Sequence, residues 1–257
     1  MKSHPSCRLQ GNLAINIVRT GRCPMDPQTD GDPAFGADVV VIREYRDSDH
    51  REVRELFASG MGEYAPALCA HVLRQPWVLL VLSCTFCLLL ASARSLLLPV
   101  LALTLLLAAG RQALTWAWGL YIARCLGEDL LDVRAAYAEE AGGRFWVAEA
   151  GGWLVGTVGV RPARGEAREL ALKRLTVRRG WRGRGIAKRL CRTVLDFARR
   201  RGSRAVVLRT VVVQHDARLL YAGLGFRPGP PQLLPTVYGR LANFTVTHFR
   251  YDLDPTD

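Results

Sequence analysis

The chain has 257 residues, of which 49% are hydrophobic, and it carries a formal net charge of +12. That length is enough for one full domain with an appendage. The basic excess indicates a polyanionic partner: a nucleic acid, an anionic membrane surface or a phosphorylated cofactor. The seven cysteines are odd in number and irregularly spaced, which excludes a disulfide framework and favours a reduced, cytosol-facing protein.

The first ordered elements are predicted after a polar start. Residues 1–37 lack hydrophobic periodicity and have no long apolar core after a basic start, so they predict a disordered extension and not a secretory signal. The β-branched stretch at 38–45 predicts a strand. A helix should follow, with Ser48 or Asp49 as its N-terminal cap.

Two charge-free apolar runs come next, at residues 77–93 and 95–110. A surface helix of a soluble domain is amphipathic, whereas these runs are apolar all round, so they predict membrane insertion. Each run gives about 25 Å of helix, against a hydrocarbon core of about 30 Å. Two short spans, a re-entrant hairpin and one long tilted span that contains Arg94 all remain open. The predicted membrane hairpin covers residues 75–120.

The rest of the chain mixes strands and helices. Two strands joined by a tight Ala-Gly-Gly turn predict a β-hairpin, and a third strand should end at Val177. An amphipathic helix is predicted from Ile186, with Gly202 as its stop signal. A buried strand, a short helix ending at Gly225 and an alternating final strand follow. Because strands outnumber helices, the predicted class is α/β of the mixed α+β type and not a doubly wound sheet.

A turn rich in glycine and arginine links the third strand to that helix. The first turn of a helix has backbone N–H groups without acceptors, and the helix dipole is positive there. Glycines at 183 and 185 remove the Cβ atoms that would keep a phosphate away, and Arg182 and Arg184 add charge. The turn therefore predicts a pyrophosphate site, although it is neither a Rossmann fingerprint nor a Walker loop. A basic surface turn without function and an arginine–glycine nucleic-acid motif are the alternatives.

Two signatures then give a family resemblance. Arg182-x-x-Gly185-x-Ala187 matches the Arg/Gln-x-x-Gly-x-Gly/Ala signature of the GCN5-related acetyltransferase superfamily, and "LLYAGLGF" matches its L-Y-x-x-x-G-F signature. The chain most resembles the camello-type, membrane-bound N-acetyltransferases through "IREY", "EYAP", "FWVAE", "GIAK", "THFRYDL" and the paired apolar runs. This implies a GCN5-related acetyltransferase fold at 38–253, with a mixed, mostly antiparallel sheet, an inserted membrane helical hairpin and a short tail at 254–257.

The resemblance also implies where acetyl-CoA, the co-substrate, would lie. Its pantetheine would bond to the backbone of Leu175, Thr176 and Val177. Gln214 stands where the family often has an asparagine that contacts CoA. The pyrophosphate would lie over the turn and the start of the helix, formed by Arg182, Gly183, Arg184, Gly185, Ile186, Ala187 and Lys188.

Tyr221 aligns with the tyrosine that commonly protonates the departing CoA thiolate. A phenol with a pKa near 10 can give a proton to a leaving thiolate whose thiol has a pKa near 8.5, although a buried tyrosine can also serve packing alone. The base that accepts the amine proton stays open among Glu169, His215 and Asp216. Arg174 is the candidate to bind a carboxylate of the acceptor, or else a strand charge without a role.

The position of the hairpin constrains its topology. The first strand and helix precede it and the other elements of the same sheet follow it, so both flanks lie on one side of the membrane. This removes the single tilted span. Basic flanks indicate that the catalytic domain faces the cytosol, and the resemblance implies the endoplasmic reticulum membrane.

These observations predict an acetyl-CoA-dependent N-acetyltransferase that acts by direct transfer on the amine of a small amino acid derivative. A cysteine-S-conjugate is the first acceptor, and aspartate or the lysines of membrane and secretory proteins are the alternatives. A non-catalytic membrane adaptor with a degenerate acetyltransferase fold is the alternative of another class. The expected partners are a small-molecule amine and the membrane, without nucleic acid or metal, and a homo-oligomer stays open.

Overall fold

The computed structural model describes residues 39–93, 95–163, 168–235 and 237–253, so the predicted extension at 1–37, Arg94 and the tail at 254–257 lie outside the described residues. The helices are α1 (His50–Gly62), α2 (Ala65–Leu73), α3 (Pro76–Ala93), α4 (Leu97–Gly127), α5 (Val133–Ala136), α6 (Ile186–Arg200), α7 (His215–Gly223) and α8 (Val237–Leu241). The strands are β1 (Val41–Glu44), β2 (Arg144–Ala150), β3 (Trp153–Pro162), β4 (Glu169–Val177), β5 (Ala205–Val211), β6 (Arg227–Pro228), β7 (Gln232–Leu233) and β8 (Thr245–Asp252).

The described strands form one mixed sheet. Their order is β1-β2-β3-β4-β5-β8-β6, and β7 also pairs with β8. The pair β4–β5 is parallel, and the other pairs are antiparallel. The predicted mixed, mostly antiparallel sheet is therefore confirmed.

The parallel pair is also where the sheet opens. β4 and β5 pair from Glu169, opposite Ala205, to Ala171, opposite Val207. Beyond that point β4 continues to Val177 and β5 to Val211, with no pairing between the two in the described structure. A cleft therefore opens between the carboxyl ends of these two strands, at the end of the sheet that leads into α6 and α7.

Helix α6 packs on one face of the sheet and α1 on the other. The predicted amphipathic character of α6 is confirmed, because its apolar residues Ile186, Leu190, Val194 and Phe197 are at most 4% exposed. A Cβ on Gly156 of β3 would lie 3.0 Å from Leu190 Cδ1, so this glycine allows the helix to approach the sheet closely. Burying such aliphatic side chains contributes about 1.5–3 kcal/mol each, which fixes the helix and the turn before it.

The start of α1 differs from the sequence prediction. No side-chain hydrogen bond caps α1, although Asp49 occupies the N-cap position. Instead the Asp49 carboxylate accepts hydrogen bonds from the Arg46 backbone N–H at 2.8 Å and from Arg43 at 2.7 and 2.9 Å. A charged partner on β1 outcompetes the helix N–H groups for this carboxylate.

The two apolar runs form α3 and α4. Both helices are long and apolar enough to cross a membrane. In the most apolar stretch of each helix almost nothing is buried: 0% in α3 and 6% in α4. Helix α4 runs on to Gly127, so the basic chain after the second apolar run continues the same helix. That part of α4 packs on α1, where Trp118 Nε1 donates to the Met61 carbonyl at 2.8 Å.

Candidate functional site

The turn before α6 has the geometry of an open cradle. Gly183 and Gly185 both have φ of 76°, in the left-handed region that glycine adopts without strain. A Cβ built on either glycine meets no described atom within 4 Å, so the space in front of the turn is open. Gly185 is the N-cap of α6, and the free N–H groups of the first helical turn follow it. Free N–H groups, a positive dipole end and open space together suit a phosphate.

Two arginines beside the turn are held in place. Arg184 stacks over the Trp181 ring, with 4.6 Å between its guanidinium carbon and the ring centroid. Arg182 donates from Nε to the Val177 carbonyl at 3.0 Å, and its two other nitrogens reach the Glu63 carboxylate at 2.8 and 3.2 Å. Glu63 follows α1 and was not predicted as a site residue. The charge of Arg182 is therefore shared with a carboxylate from a distant part of the chain.

Two concave regions flank the turn. A cavity of about 590 Å³ lies between the end of α1 and the turn, and both Glu63 and Arg182 line it. A groove of about 330 Å³ lies along α6 and the end of α7. The groove brings Lys188, Arg192 and Arg199 together with one carboxylate, that of Asp196. A cationic surface therefore extends from the turn along α6, which suits a ligand with several phosphates.

The open part of β4 contains a β-bulge that the sequence did not reveal. β4 has one residue more than β3 between Lys173 and Thr176, and Arg174 adopts a left-handed φ of 56° there. The Thr157 hydroxyl donates to the Arg174 carbonyl at 2.9 Å and stabilises this conformation. The predicted pantetheine residues Leu175, Thr176 and Val177 all follow the bulge, on the edge that faces the cleft.

Arg174 is engaged in a buried ion pair. Its Nε donates to Asp129 Oδ2 at 3.0 Å, and its Nη2 donates to Asp129 Oδ1. The Tyr137 hydroxyl also donates to Asp129, and the guanidinium lies 4.7 Å from the Phe57 ring centroid. Burial alone would raise the pKa of Asp129, but the hydrogen bonds from Arg174 and Tyr137 outweigh burial and lower it, so the carboxylate stays charged. Arg174 thus has a carboxylate partner within the chain, and its predicted role toward an acceptor stays a prediction.

Tyr221 lies on α7 inside the core. It is 6% exposed, and its ring contacts those of Phe226 and Phe249 at centroid distances of 5.7 and 5.8 Å. Burial raises the pKa of Tyr221, and the nearby Cys191 and Tyr64 add to this effect. The phenol is therefore neutral at every physiological pH. It can act as a proton donor, and packing alone is also consistent with its position.

Thr210 is a further residue that the sequence did not indicate. Its hydroxyl is buried, and it has no hydrogen-bond partner among the described residues. Thr210 lies on the part of β5 that extends beyond its pairing with β4, where β5 still pairs with β8, and it is 3% exposed. By the period of two it shares a face with Val206 and Leu208, which pack in the same core cluster as Tyr221. Buried hydroxyls usually have a hydrogen-bond partner, so Thr210 is a candidate to bond to a ligand in the cleft.

The three candidate bases lie in two different places. Glu169 lies at the closed end of the β4–β5 pair, where it pairs with Arg250 at 2.7 Å. It is about 20 Å along the strand from Leu175, so the structure does not bring it to the cleft. His215 and Asp216 begin α7 and are exposed at the open end. Gln214, just before them, accepts from the Val211 N–H at 3.2 Å and lies 3.9 Å from Met61 Sδ.

No group of three His, Cys, Asp or Glu side chains in the described ranges could hold a metal ion. The site therefore consists of a cleft between two strands, a cradle of free N–H groups, a cationic groove and a neutral phenol.

Comparison with known proteins agrees with this arrangement. The model of the Acetyltransferase (GNAT) family matches residues 111–226. Mouse N-acetyltransferase 8B is 39% identical and covers 82% of this chain and 91% of its own length. Mouse N-acetyltransferase 8F1 is 38% identical over 82% of this chain and 96% of its own length. The Xenopus tropicalis protein named "Probable N-acetyltransferase camello" is 37% identical over 83% of this chain and 98% of its own.

The fold also agrees with a solved structure. A GNAT-family acetyltransferase from Staphylococcus aureus Mu50 superposes with a TM-score of 0.51 at 19% identity, covering 84% of this chain and 100% of that one. The cradle, the cleft and these relatives lead to one conclusion: the chain belongs to the GNAT acetyltransferase family, as an enzyme of its camello-like N-acetyltransferase group.

Proposed function

We propose that the enzyme transfers the acetyl group of acetyl-CoA directly to the amine of a small amino acid derivative, with a cysteine-S-conjugate as acceptor. The observation that carries the proposal is the open end of the β4–β5 pair, which leads directly into the glycine cradle. A cleft with a free strand edge suits the amide-rich pantetheine arm, and the adjoining cradle suits its pyrophosphate.

The residues for acetyl-CoA follow from this placement. Backbone groups of Leu175, Thr176 and Val177 bond to the pantetheine amides along the free edge. The turn from Arg182 to Ala187 holds the pyrophosphate with its N–H groups. The groove along α6, which contains Lys188, receives the phosphorylated adenosine end because its cations outnumber its carboxylate.

The reaction needs two proton movements. As the amine nitrogen bonds to the thioester carbonyl carbon, the carbon–sulfur bond breaks and the sulfur leaves as a thiolate. Tyr221 donates its phenolic proton to that sulfur, since burial keeps the phenol protonated. The amine proton leaves through water toward His215 or Asp216, the two candidate bases at the open end.

The buried Arg174–Asp129 pair bears on the choice of acceptor. Aspartate carries two carboxylates, so its recognition needs cations that are free on the acceptor side. Arg174 is already neutralised by Asp129. A cysteine-S-conjugate carries a single carboxylate next to its amine and needs fewer free cations, which favours it over aspartate.

Helices α3 and α4 insert into a membrane as a hairpin in this proposal. Their exposed apolar surfaces support insertion, and the 18 residues of α3 give about 27 Å of helix, close to the hydrocarbon thickness. β1 and α1 precede the hairpin while β2 to β8 follow it in one sheet, so both ends lie on one side of the membrane. The basic flanks favour the cytosol for that side, and the resemblance to camello-type enzymes favours the endoplasmic reticulum as the membrane.

An acceptor panel tests the proposal. The detergent-solubilised full chain is given acetyl-CoA with S-benzylcysteine, aspartate or a lysine peptide, and both free thiol and acetylated product are measured. We expect turnover with S-benzylcysteine and little with the other two. Turnover on aspartate alone would replace the acceptor, and acetyl-CoA binding without turnover on any amine would support the adaptor alternative.

A further inference from the structure

The start of the apolar hairpin is hydrogen-bonded to the end of α8, in the segment between β7 and β8. Trp77 Nε1, in the first turn of α3, donates to the Leu241 carbonyl at 2.7 Å. His71 Nε2, on α2, lies 3.0 Å from the Ala242 carbonyl, and its ring meets the Phe244 ring edge-on at 6.2 Å. The elbow between α2 and α3 and the segment between β7 and β8 therefore form one continuous surface.

This surface is apolar and exposed. Four large side chains on it have exposed fractions of 42% for Leu73, 45% for Trp77, 51% for Leu233 and 52% for Leu241. We call these four residues the elbow patch. Trp77 is the second residue of α3, so the patch lies at the level where the hairpin enters its apolar stretch. Tryptophan is enriched at this depth, at the boundary between acyl chains and headgroups.

The charge of the same surface has a single sign. The two segments that meet there, residues 65–127 and 217–251, contain no aspartate or glutamate. They do contain Arg74, next to Leu73, and Arg240, next to Leu241, and both arginines are exposed. Exposed apolar side chains beside arginines, without carboxylates, complement an anionic phospholipid surface.

We propose that the elbow patch rests in the headgroup region of the bilayer that holds α3 and α4, so that the catalytic domain lies against an anionic lipid surface. This inference depends on the membrane insertion proposed above. The Val212 N–H donates to the Thr245 carbonyl at 2.9 Å, so the segment before β8 adjoins the end of β5. The open end of the cleft therefore borders the lipid surface.

A fluorescence experiment tests the contact. An environment-sensitive fluorescent amino acid replaces Leu241 in the full chain, which is reconstituted into phosphatidylcholine vesicles with a minority of phosphatidylserine. Acyl chains brominated near the headgroup should reduce its emission on the order of twofold, compared with the same lipids without bromine. Val41, 53% exposed on the far edge strand, is the matched control and lies about 24 Å from β8 across the sheet. Its emission should not change.

A probe at Leu88, 71% exposed on α3, separates the two proposals. Quenching at 88 without quenching at 241 overturns the elbow-patch inference and leaves membrane insertion standing. No quenching at 88 rejects insertion itself, and the elbow-patch inference with it.

The arginines have a separate readout. The pair of substitutions Arg74→Glu and Arg240→Glu should weaken quenching at 241 and leave quenching at 88 unchanged. Equal quenching at 241 in the substituted and the unsubstituted chain would overturn the role of anionic lipid. Cross-linking from position 241 to a second copy of the chain, in place of quenching, would make the patch a protein interface and also overturn the inference.

Discussion

Two arginine–carboxylate pairs flank the open part of β4, and they differ in burial. Arg174 and Asp129 have side chains that are 12% and 3% exposed, whereas Arg182 and Glu63 are 41% and 30% exposed. Both pairs join β4 or the turn after it to a distant segment. The buried pair fixes the bulge on the strand, and the exposed pair lies at the rim of the glycine cradle at Gly183 and Gly185.

Burial decides what each arginine can do. Breaking a buried pair leaves a charge without a partner and costs about 3–5 kcal/mol, so Arg174 cannot readily exchange Asp129 for a ligand. An exposed pair contributes about 0–1 kcal/mol, so Arg182 can exchange Glu63 for a phosphate. Arginine thus stabilises the fold at position 174 and suits ligand binding at position 182.

The largest effect is expected in the glycine cradle, beside the exposed Arg182–Glu63 pair. Gly185→Glu should abolish measurable acetyl-CoA binding, because it places a carboxylate in the phosphate cradle and strains a residue whose φ is 76°. Calorimetry on the detergent-solubilised protein measures the affinity. Gly180→Glu adds the same charge in the same turn, where φ is not positive, and should bind far better. Equal affinities for the two variants would remove the cradle as the phosphate site.

The next largest effect is expected at the buried Arg174–Asp129 pair. Asp129→Ala should lower the free energy of unfolding by about 3–5 kcal/mol, because Arg174 is left buried and unpaired. Glu63→Ala, at the exposed pair, should lower it by no more than about 1 kcal/mol. Thermal unfolding of both variants in one detergent compares them. Similar losses would mean that burial does not distinguish the two pairs.

A third test concerns the buried phenol. Tyr221→Phe should lower kcat by about 10²-fold and leave acetyl-CoA affinity unchanged, because it removes a proton donor and keeps the packing. Tyr45→Phe, at a tyrosine whose hydroxyl lies 3.3 Å from His50 Nδ1 outside the cleft, should keep full turnover. Full turnover of Tyr221→Phe would assign Tyr221 to packing.

Removal of the Thr210 hydroxyl should have opposite effects on protein stability and on ligand affinity. Thr210→Val should stabilise the ligand-free protein by about 1 kcal/mol, because the hydroxyl is buried without a partner among the described residues. It should weaken acetyl-CoA or acceptor binding by about fivefold if the hydroxyl bonds to that ligand. Thr157→Val is the matched change at a hydroxyl that already donates to the Arg174 carbonyl, and it should destabilise the protein. Destabilisation by Thr210→Val would show that the hydroxyl has a structural partner.

The smallest effect is expected on acetyl-CoA affinity, from a change in the exposed Arg182–Glu63 pair. Glu63→Gln should tighten acetyl-CoA binding by about threefold, because Arg182 no longer has a competing carboxylate. The gain should shrink at high salt, where exposed charges are screened. Glu55→Gln makes the same change in an exposed pair with Arg51 on α1 and should leave the affinity unchanged. Unchanged affinity for Glu63→Gln would mean that Arg182 does not reach the phosphates.

Much of the fold was predictable because its signals are local. Alternation predicted the strands, the 3.6-residue period predicted the buried stripe of α6, and glycine spacing predicted the turn. The predicted cap of α1 was wrong because the Asp49 carboxylate bonds to Arg43 of β1 instead of to the helix. The bulge at Arg174 escaped prediction, since no local pattern marks a non-glycine residue with positive φ.

By itself the sequence determined the family, the order of the elements, the two apolar helices and the glycine cradle, because each depends on residues close together in the chain. Only the tertiary structure decided that Arg174 meets Asp129, 45 residues away, and that Arg182 meets Glu63, 119 residues away. It also decided that the Thr210 hydroxyl has no hydrogen-bond partner among the described residues. Burial and long-range pairing arise when distant segments pack, and no local spacing in the sequence contains that information.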